Sequence, residues 1–352
     1  MRNRKDEHVE LVQRFYKDGN ISDFDNIRFV YNSLPQMNLE EVDIKTKVAG
    51  IEMEYPFFIN AMTGGSESTK VVNEKLAIVS KETGIAMASG SLSAALKDEG
   101  VRNSFEIIRK INDDGIIFAN IGAEYSLEKA NKAIEILDAN AIQIHLNVIQ
   151  ELIMPEGDRD FTNWISNIEE IINGVDVPVI IKEVGFGMSR QTIKKLYDIG
   201  ATTIDISGFG GTNFATIENY RREKGEYDYI EGFGQSTVVS LFEAQEFIKD
   251  IDIISSGGVR NPLDIVKSLA LGAKAVGLSA FFLNTVLENG VENTIEIINS
   301  WKQEIKVIMT ILGCKNIYEL LNTDILVMGD AKHWCEARGI SYKQFANRNQ
   351  LI

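Results

Sequence analysis

Cysteine is nearly missing from this 352-residue chain: Cys314 and Cys335 stand alone, late in the sequence. Two thiols build neither a disulfide framework nor a cysteine-based metal site, and their scarcity points to a reducing, cytoplasmic setting. Long apolar runs are missing too. None approaches the ~20 residues that a membrane-spanning helix needs. The charged start, Met1-Arg2-Asn3-Arg4-Lys5-Asp6-Glu7-His8, has no apolar stretch behind it and does not read as a secretory signal. Positive charge is in deficit: 36 Lys and Arg face 51 Asp and Glu, a net −15. Such a surface repels nucleic acid and anionic lipid, so neither is an expected partner. An anionic substrate or cofactor then requires basic residues gathered in small local groups. Histidine is scarce as well, with only His8, His145 and His333. No linker, low-complexity tract or second domain is visible, so a single domain over 1–352 is expected.

What is present is a rhythm. Eight short apolar runs, rich in β-branched residues, occupy 56–62, 84–89, 115–121, 141–146, 178–184, 202–207, 251–255 and 273–279. They read as strands buried on both faces. Amphipathic stretches lie between them. In 189–199, Ile193, Leu196 and Tyr197 share one face and Gly200 stops the helix. Asn261 and Pro262 open another helix and Gly272 ends it. Eight such units predict an α/β fold closed as a TIM (β/α)8 barrel over 56–280, rather than an open doubly wound sheet. The N-terminal extension, 1–55, contains a hairpin-like pair at 42–48 and 51–55 around Ala49-Gly50. The C-terminal segment, 281–352, contains helical patterns such as 291–312. Both are expected to serve packing or oligomer contacts. The polar stretch 209–234, bounded by glycines, predicts a long loop after the sixth strand, placed to act as a lid.

In a barrel, chemistry sits where the strands end. Ala61-Met62-Thr63-Gly64-Gly65 follows the first strand, and Ser89, Gly90, Ser91 and Ser93 the second. Asn120 and Gly122 follow the third; an amide both donates and accepts, which suits a heteroaromatic ring edge. The fourth runs into His145-Leu146-Asn147-Val148-Ile149-Gln150-Glu151, where alternation aims His145 and Asn147 to one side. A lone Glu151 beside amides is too poor a set for a protein-only metal cage. It suits Mg2+, which keeps waters and takes substrate phosphates, or else it is a solvated loop Glu. Lys182 lies inside an apolar run, so it is either paired with a neighbouring carboxylate or reserved for an anionic ligand. The sixth strand leads to Asp205, Ser207, Gly208, Gly210, Gly211 and Thr212. Ser255-Ser256-Gly257-Gly258-Val259-Arg260, with Gly277-Leu278-Ser279-Ala280 after the eighth strand, matches the phosphate site of barrels. Backbone N–H groups bind there, Arg260 adds charge, and an inward lysine nearby suggests FMN.

Taken together and in order, Arg4-Lys5…His8, the Ala61–Gly65 run, His145–Glu151, Lys182-Glu183-Val184-Gly185 and Ser255–Arg260 resemble the type 2 isopentenyl diphosphate isomerases. The resemblance covers nearly the whole chain. It implies an FMN barrel that interconverts isopentenyl and dimethylallyl diphosphate without net redox change, needing reduced FMN and Mg2+, with NADPH as the reductant. It implies FMN contacts from Ala61, Met62, Thr63, Ser91, Asn120, Lys182, Ser207, Thr212, Gly257, Gly258, Val259, Arg260, Ser279 and Ala280. Substrate would meet Arg4, Lys5, His8, Ser93, His145, Asn147 and Gln150, and Glu151 would bind Mg2+. Gln150, His145 and Lys182 would be the catalytic set, with FMN N5, FMN N1 and Gln150 as alternative proton carriers. A homo-oligomer, tetramer or octamer, is implied, and the basic N-terminus is a candidate to reach a neighbouring subunit's site. The chain departs from the family at Ser93, where an Arg is frequent, so one diphosphate contact is missing or supplied elsewhere. An FMN-dependent oxidase of 2-hydroxy acids shares the phosphate turn and the lysine, but it needs a His base after a later strand, where Ser207-Gly208-Phe209-Gly210-Gly211-Thr212 stands. A flavin-binding scaffold without activity is the third reading.

Overall fold

A computed structural model describes residues 4–16, 22–222 and 225–351. Its eight central strands are Phe57–Ile59, Met87–Ala88, Ile117–Gly122, Ala141–Leu146, Val179–Glu183, Thr203–Asp205, Asp252–Ser256 and Ala273–Leu278. They pair in parallel, each with the next, and Ala273–Leu278 closes on Phe57–Ile59 through Gly277↔Phe58. All eight apolar runs are therefore barrel strands. The helix Arg190–Asp198 carries Ser189 as its N-cap, accepting from the Thr192 N–H. Pro262–Ala270 is capped by Asn261, which accepts from Asp264 N–H.

Alternation along the strands divides the interior into two layers. Outward-facing Ile59, Ile117, Ile142, Ile181, Ile204, Ile253 and Val276 meet the surrounding helices. Inward-facing Phe58, Phe118, Ile180 and Ile254 fill the lower barrel. Two residues further along the same strands stand Asn60, Asn120, Lys182 and Ser256, all buried. The axis thus turns from apolar to polar within one step of the pleat, and the polar layer forms the floor of the site.

The lower end is sealed by the expected hairpin, Thr46–Val48 paired antiparallel with Ile51–Met53. Its Val48, Ala49 and Met53 join the inner apolar layer. The Ala49 N–H donates to Asp252 Oδ2 at 2.9 Å, and Thr46 Oγ1 to the Lys274 carbonyl at 2.6 Å, both at strand starts. The extensions hold one pairing that local patterns did not reveal: Ile27–Phe29 lies antiparallel to Ile325–Val327, tying the two ends of the chain together. Gly290–Leu312 is the long C-terminal helix.

Two readings need correction. The stretch 209–234 is not a plain loop: Phe214–Arg221 is an α-helix capped by Asn213, followed by the short turn Asp228–Ile230. Gln150 and Glu151 are not on a loop either, because Val148–Ile153 is helical. Among the described residues no helix is long and apolar enough to cross a membrane.

Candidate active site

The strand ends open into a cavity of about 280 Å³, lined by every residue that the resemblance assigns to FMN, substrate or Mg2+, from Arg4 to Ala280, but not by Gly64, Gly65, Ser89, Gly122, Asp205 or Ser255. Its walls differ in chemistry.

One wall is the glycine turn. Gly257 and Gly258 have φ of 90° and 68°, which favours glycine. A Cβ on Gly257 would lie 2.0 Å from the Gly208 carbonyl oxygen, so this turn also packs backbone against backbone on the loop after the sixth strand. Thr237 Oγ1 donates to the Ser256 and Gly257 carbonyls at 2.7 and 2.6 Å. Among the described residues no acceptor meets the N–H groups of Gly257, Gly258 or Val259. The helix Ala280–Glu288 starts beside them, adding its positive end. Thr63 Oγ1 and Thr212 Oγ1 are buried, line the cavity and have no partner among the described residues. Consecutive vacant donors and two unpartnered hydroxyls are the chemistry that a phosphorylated, flat cofactor such as FMN needs. Arg260 differs from expectation in one respect. It lines the cavity, but its guanidinium is bound to Asp25 at 2.7 Å and Asp264 at 2.8 Å.

The floor is a chain of buried amides. Asn120 Oδ1 lies 2.8 Å from His145 Nδ1. Asn120 Nδ2 donates to Gln143 Oε1 at 3.0 Å, Gln143 Nε2 to Asn60 Oδ1 at 3.0 Å, and Asn60 Nδ2 to Asp205 Oδ2 at 2.8 Å. Asp205 also accepts from Ser256 Oγ at 2.6 Å and pairs with Lys182 at 3.4 Å. Of the two readings of Lys182, the structure realises the paired one. Its ammonium also donates to the Glu183 carbonyl at 2.7 Å and Ser207 Oγ at 3.3 Å, while the side chain still lines the cavity. His145 is held neutral: burial, then the charges of Lys5 and Lys182, lower it to about 3.

The third wall is the helix Arg4–Phe15, which brings Arg4, Lys5 and His8 to the mouth of the same chain. In the single chain these residues line the cavity of their own barrel. The short helix Ser93–Lys97 stands nearby. Lys97 lies one helical turn beyond Ser93, lines the cavity and is exposed, a cation that sequence reading missed. Burial, followed by the charges of Arg4 and Lys97, lowers Lys5 to about 8.

The lid helix Phe214–Arg221 is joined to this wall through Glu218 and Arg221. Glu218 pairs with His8 at 2.9 Å and Arg221 at 2.5 Å, and Arg221 reaches Glu156 at 2.7 Å and Glu7 at 3.0 Å. Gln150 Nε2 donates to Glu218 Oε1 at 3.2 Å and Gln150 Oε1 accepts from Asn147 at 3.3 Å. Beside it, Glu151 accepts from Asn147 Nδ2 and the Asp158 N–H, both at 2.8 Å. Glu124 faces the same corner, and burial, with Glu151 and Asp158 nearby, raises its carboxyl to about 7. Among the described residues no group of three or more His, Cys, Asp or Glu could hold a metal alone. Glu124, Glu151 and Asp158 all line the cavity at this corner, a set of hard oxygens that would suit Mg2+ completed by water and substrate.

Comparison with known proteins agrees with this chemistry. Residues 94–327 match the model of the FMN-dependent dehydrogenases. The isopentenyl-diphosphate delta-isomerase of Staphylococcus epidermidis is 52% identical over 337 residues, covering 96% of both chains. That of Staphylococcus haemolyticus is 51% identical with the same coverage, and that of Staphylococcus aureus 49% over 338 residues, 96% of this chain and 97% of that one. Among solved structures, a mandelate oxidase with an FMN adduct superposes at TM-score 0.64 with 16% identity, covering 92% of each chain. A flavocytochrome b2 superposes at 0.63 with 20% identity, covering 89% of this chain and 81% of that one. At those identities the solved structures speak for the fold alone. The close relatives and the family match speak for more: this chain belongs to the isopentenyl-diphosphate delta-isomerases, built on the barrel of the FMN-dependent dehydrogenase family.

Proposed function

We propose that the chain interconverts isopentenyl diphosphate and dimethylallyl diphosphate by 1,3-allylic proton transfer, using reduced FMN and Mg2+, with NADPH keeping the flavin reduced. One observation carries the reading: a single cavity has two separate anion grips. The vacant N–H groups of Gly257, Gly258 and Val259 suit the FMN phosphate. Arg4, Lys5 and Lys97 gather cations on another wall of a protein whose net charge is −15, with the His8 ring beside them, and suit a diphosphate. Binding the diphosphate away from the alkene orients the reacting carbons.

When bound, reduced FMN supplies an acid–base group and an electron-rich ring face for the cationic centre that develops on the substrate. Lys182, steadied by Asp205, is the cation for the flavin's pyrimidine edge. Ala61, Met62, Thr63, Ser91, Asn120, Ser207, Thr212, Ser279 and Ala280 complete the cofactor pocket, and Arg260 braces the turn through Asp25 and Asp264. Glu151 would hold Mg2+, which would supply charge neutralisation for the diphosphate. Gln150, whose amide is oriented by Glu218 and Asn147, positions the isoprenoid or relays a proton. Lys97 takes the place of the arginine frequent at position 93. The lid helix and Phe214 keep water from the pocket.

The test is turnover by the FMN-loaded protein. Anaerobically reduced enzyme with Mg2+ should form dimethylallyl diphosphate, and oxidised enzyme should not. Glu151→Gln should lose at least tenfold in turnover and its Mg2+ dependence while staying yellow. Full activity in that variant would remove Glu151 from the metal site, and no turnover by the reduced wild type would overturn the reading.

A further inference from the structure

Three features of the floor remain unexplained by binding alone: Asn60, Gln143 and Asp205 are fully buried, none was needed to hold a ligand, and all three lie in one line. We propose that these residues are positioning residues that fix the tautomer of His145, so that Nδ1 carries the hydrogen and Nε2 meets the ligand as a bare lone pair. The inference extends the isomerase reading in naming a protonated diphosphate oxygen, a hydrogen-bond donor, as what Nε2 meets. The tautomer itself does not depend on that reading.

Each polar atom along the line has a fixed donor or acceptor role. The backbone N–H of Ala61 can only donate, and it points at one Asn60 side-chain atom at 2.9 Å. That atom is therefore oxygen. The other Asn60 atom faces Asp205, whose two oxygens are met by Asn60, Lys182, Ser256 and the Ser207 N–H. A carboxylate among those donors accepts, so the Asn60 atom facing it is the NH2. Two independent neighbours thus assign Asn60 the same way. Gly277 makes this seat possible, because a Cβ there would lie 2.4 Å from Asn60 Nδ2.

From Asn60 the direction propagates without choice. Asn60 Oδ1 accepts, so Gln143 turns its NH2 toward it. Gln143 then offers its oxygen to Asn120, which turns its own NH2 toward Gln143. Asn120 is left presenting Oδ1 to His145, and an oxygen acceptor at 2.8 Å requires a hydrogen on Nδ1. A neutral imidazole has one N–H, so Nε2 is bare. The ring then accepts a hydrogen bond at Nε2 from a protonated oxygen of the incoming phosphate, and stays neutral as it does so. Because the same Asp205 pairs with Lys182, one buried carboxylate anchors both the flavin-side cation and the substrate-side base. Lys5 and Lys182 are the charged groups that face the ring, and the Ile121 carbonyl also favours a proton on it.

The experiment is 15N NMR of the FMN-loaded protein labelled at histidine. Only three histidines contribute, and His333 is on the outside with its side chain 73% exposed. A His145→Gln sample identifies the signal. Wild type should show His145 with a protonated Nδ1 and an unprotonated Nε2 as its single form. Gln143→Met, which cuts the line at its centre, should give a mixture of tautomers and a KM for isopentenyl diphosphate raised at least fivefold. A wild-type Nε2–H form would overturn the proposal, whatever the variant does. An unchanged tautomer in Gln143→Met would overturn the role of the relay. Neither result bears on whether the enzyme isomerises its substrate, so the two readings fail separately.

Discussion

Lys5 sits among like charges, and that sets how the substrate site responds to pH. Its pKa of about 8 lies below the ordinary lysine range because of burial, Arg4 and Lys97. An approaching diphosphate favours the charged form. The profile of kcat/KM, which reports groups of the free enzyme, should therefore be level below that value and fall as pH rises through it. Lys5→Arg should move the alkaline limb upward, because guanidinium stays charged; a limb that does not move would assign it to another group. Lys97 makes a related prediction. Lys97→Ala should raise KM about tenfold, the scale of one charge-assisted hydrogen bond, and Lys97→Arg should restore it. An unaltered KM in the alanine variant would leave Ser93 uncompensated. Lys97 was hidden in the sequence because only the helix Ser93–Lys97 brings position 97 under position 93. Lys182 was visible as a buried cation, but its choice of Asp205 over a ligand depended on the register Lys182↔Asp205 between neighbouring strands. Cross-strand register is a tertiary fact that one strand's pattern does not contain.

At the scale of elements, local signals succeed where neighbours in sequence decide and fail where distant ones do. Strand runs, the cap at Asn261 and the hairpin at Ala49-Gly50 are local, and all were readable; the cap at Ser189 is equally local and was passed over. The shift along each strand from Phe58 to Asn60, or Ile180 to Lys182, is also written in the chain, and it places the polar floor. The lid helix was not readable, because its polar, glycine-bounded sequence suits a loop equally well. Its contacts come from residues some two hundred positions away, His8 and Glu7. Burial alone would raise the Glu218 carboxyl, yet hydrogen bonds and charge from His8 and Arg221 hold it below its ordinary value. A depressed folded pKa stabilises closure above the ordinary carboxylate range, and that contribution is lost as pH falls through the folded value. Acid should therefore loosen the lid. Arg221→Met should do the same at neutral pH, seen as faster hydrogen exchange over Phe214–Arg221. Protection equal to wild type would show that the ion pairs do not hold the helix down.

On the scale of the molecule, an acidic surface surrounds a mouth where cations are concentrated, and a sealed barrel base lies opposite. The two anion grips make sense only together. In the proposed function one would orient a cofactor and the other a substrate, and the hydrogen-bonded line from Asp205 to His145 joins the two sides. The central claim is that the protein moves a proton and leaves the flavin's redox state unchanged. The most direct measurement is anaerobic turnover in D2O by enzyme reduced beforehand, with Mg2+ and isopentenyl diphosphate. Deuterium should appear in the terminal methyl groups of dimethylallyl diphosphate while the flavin absorbance stays that of the reduced form. Loss of substrate with matching reoxidation of the flavin, or product free of deuterium, would contradict the account.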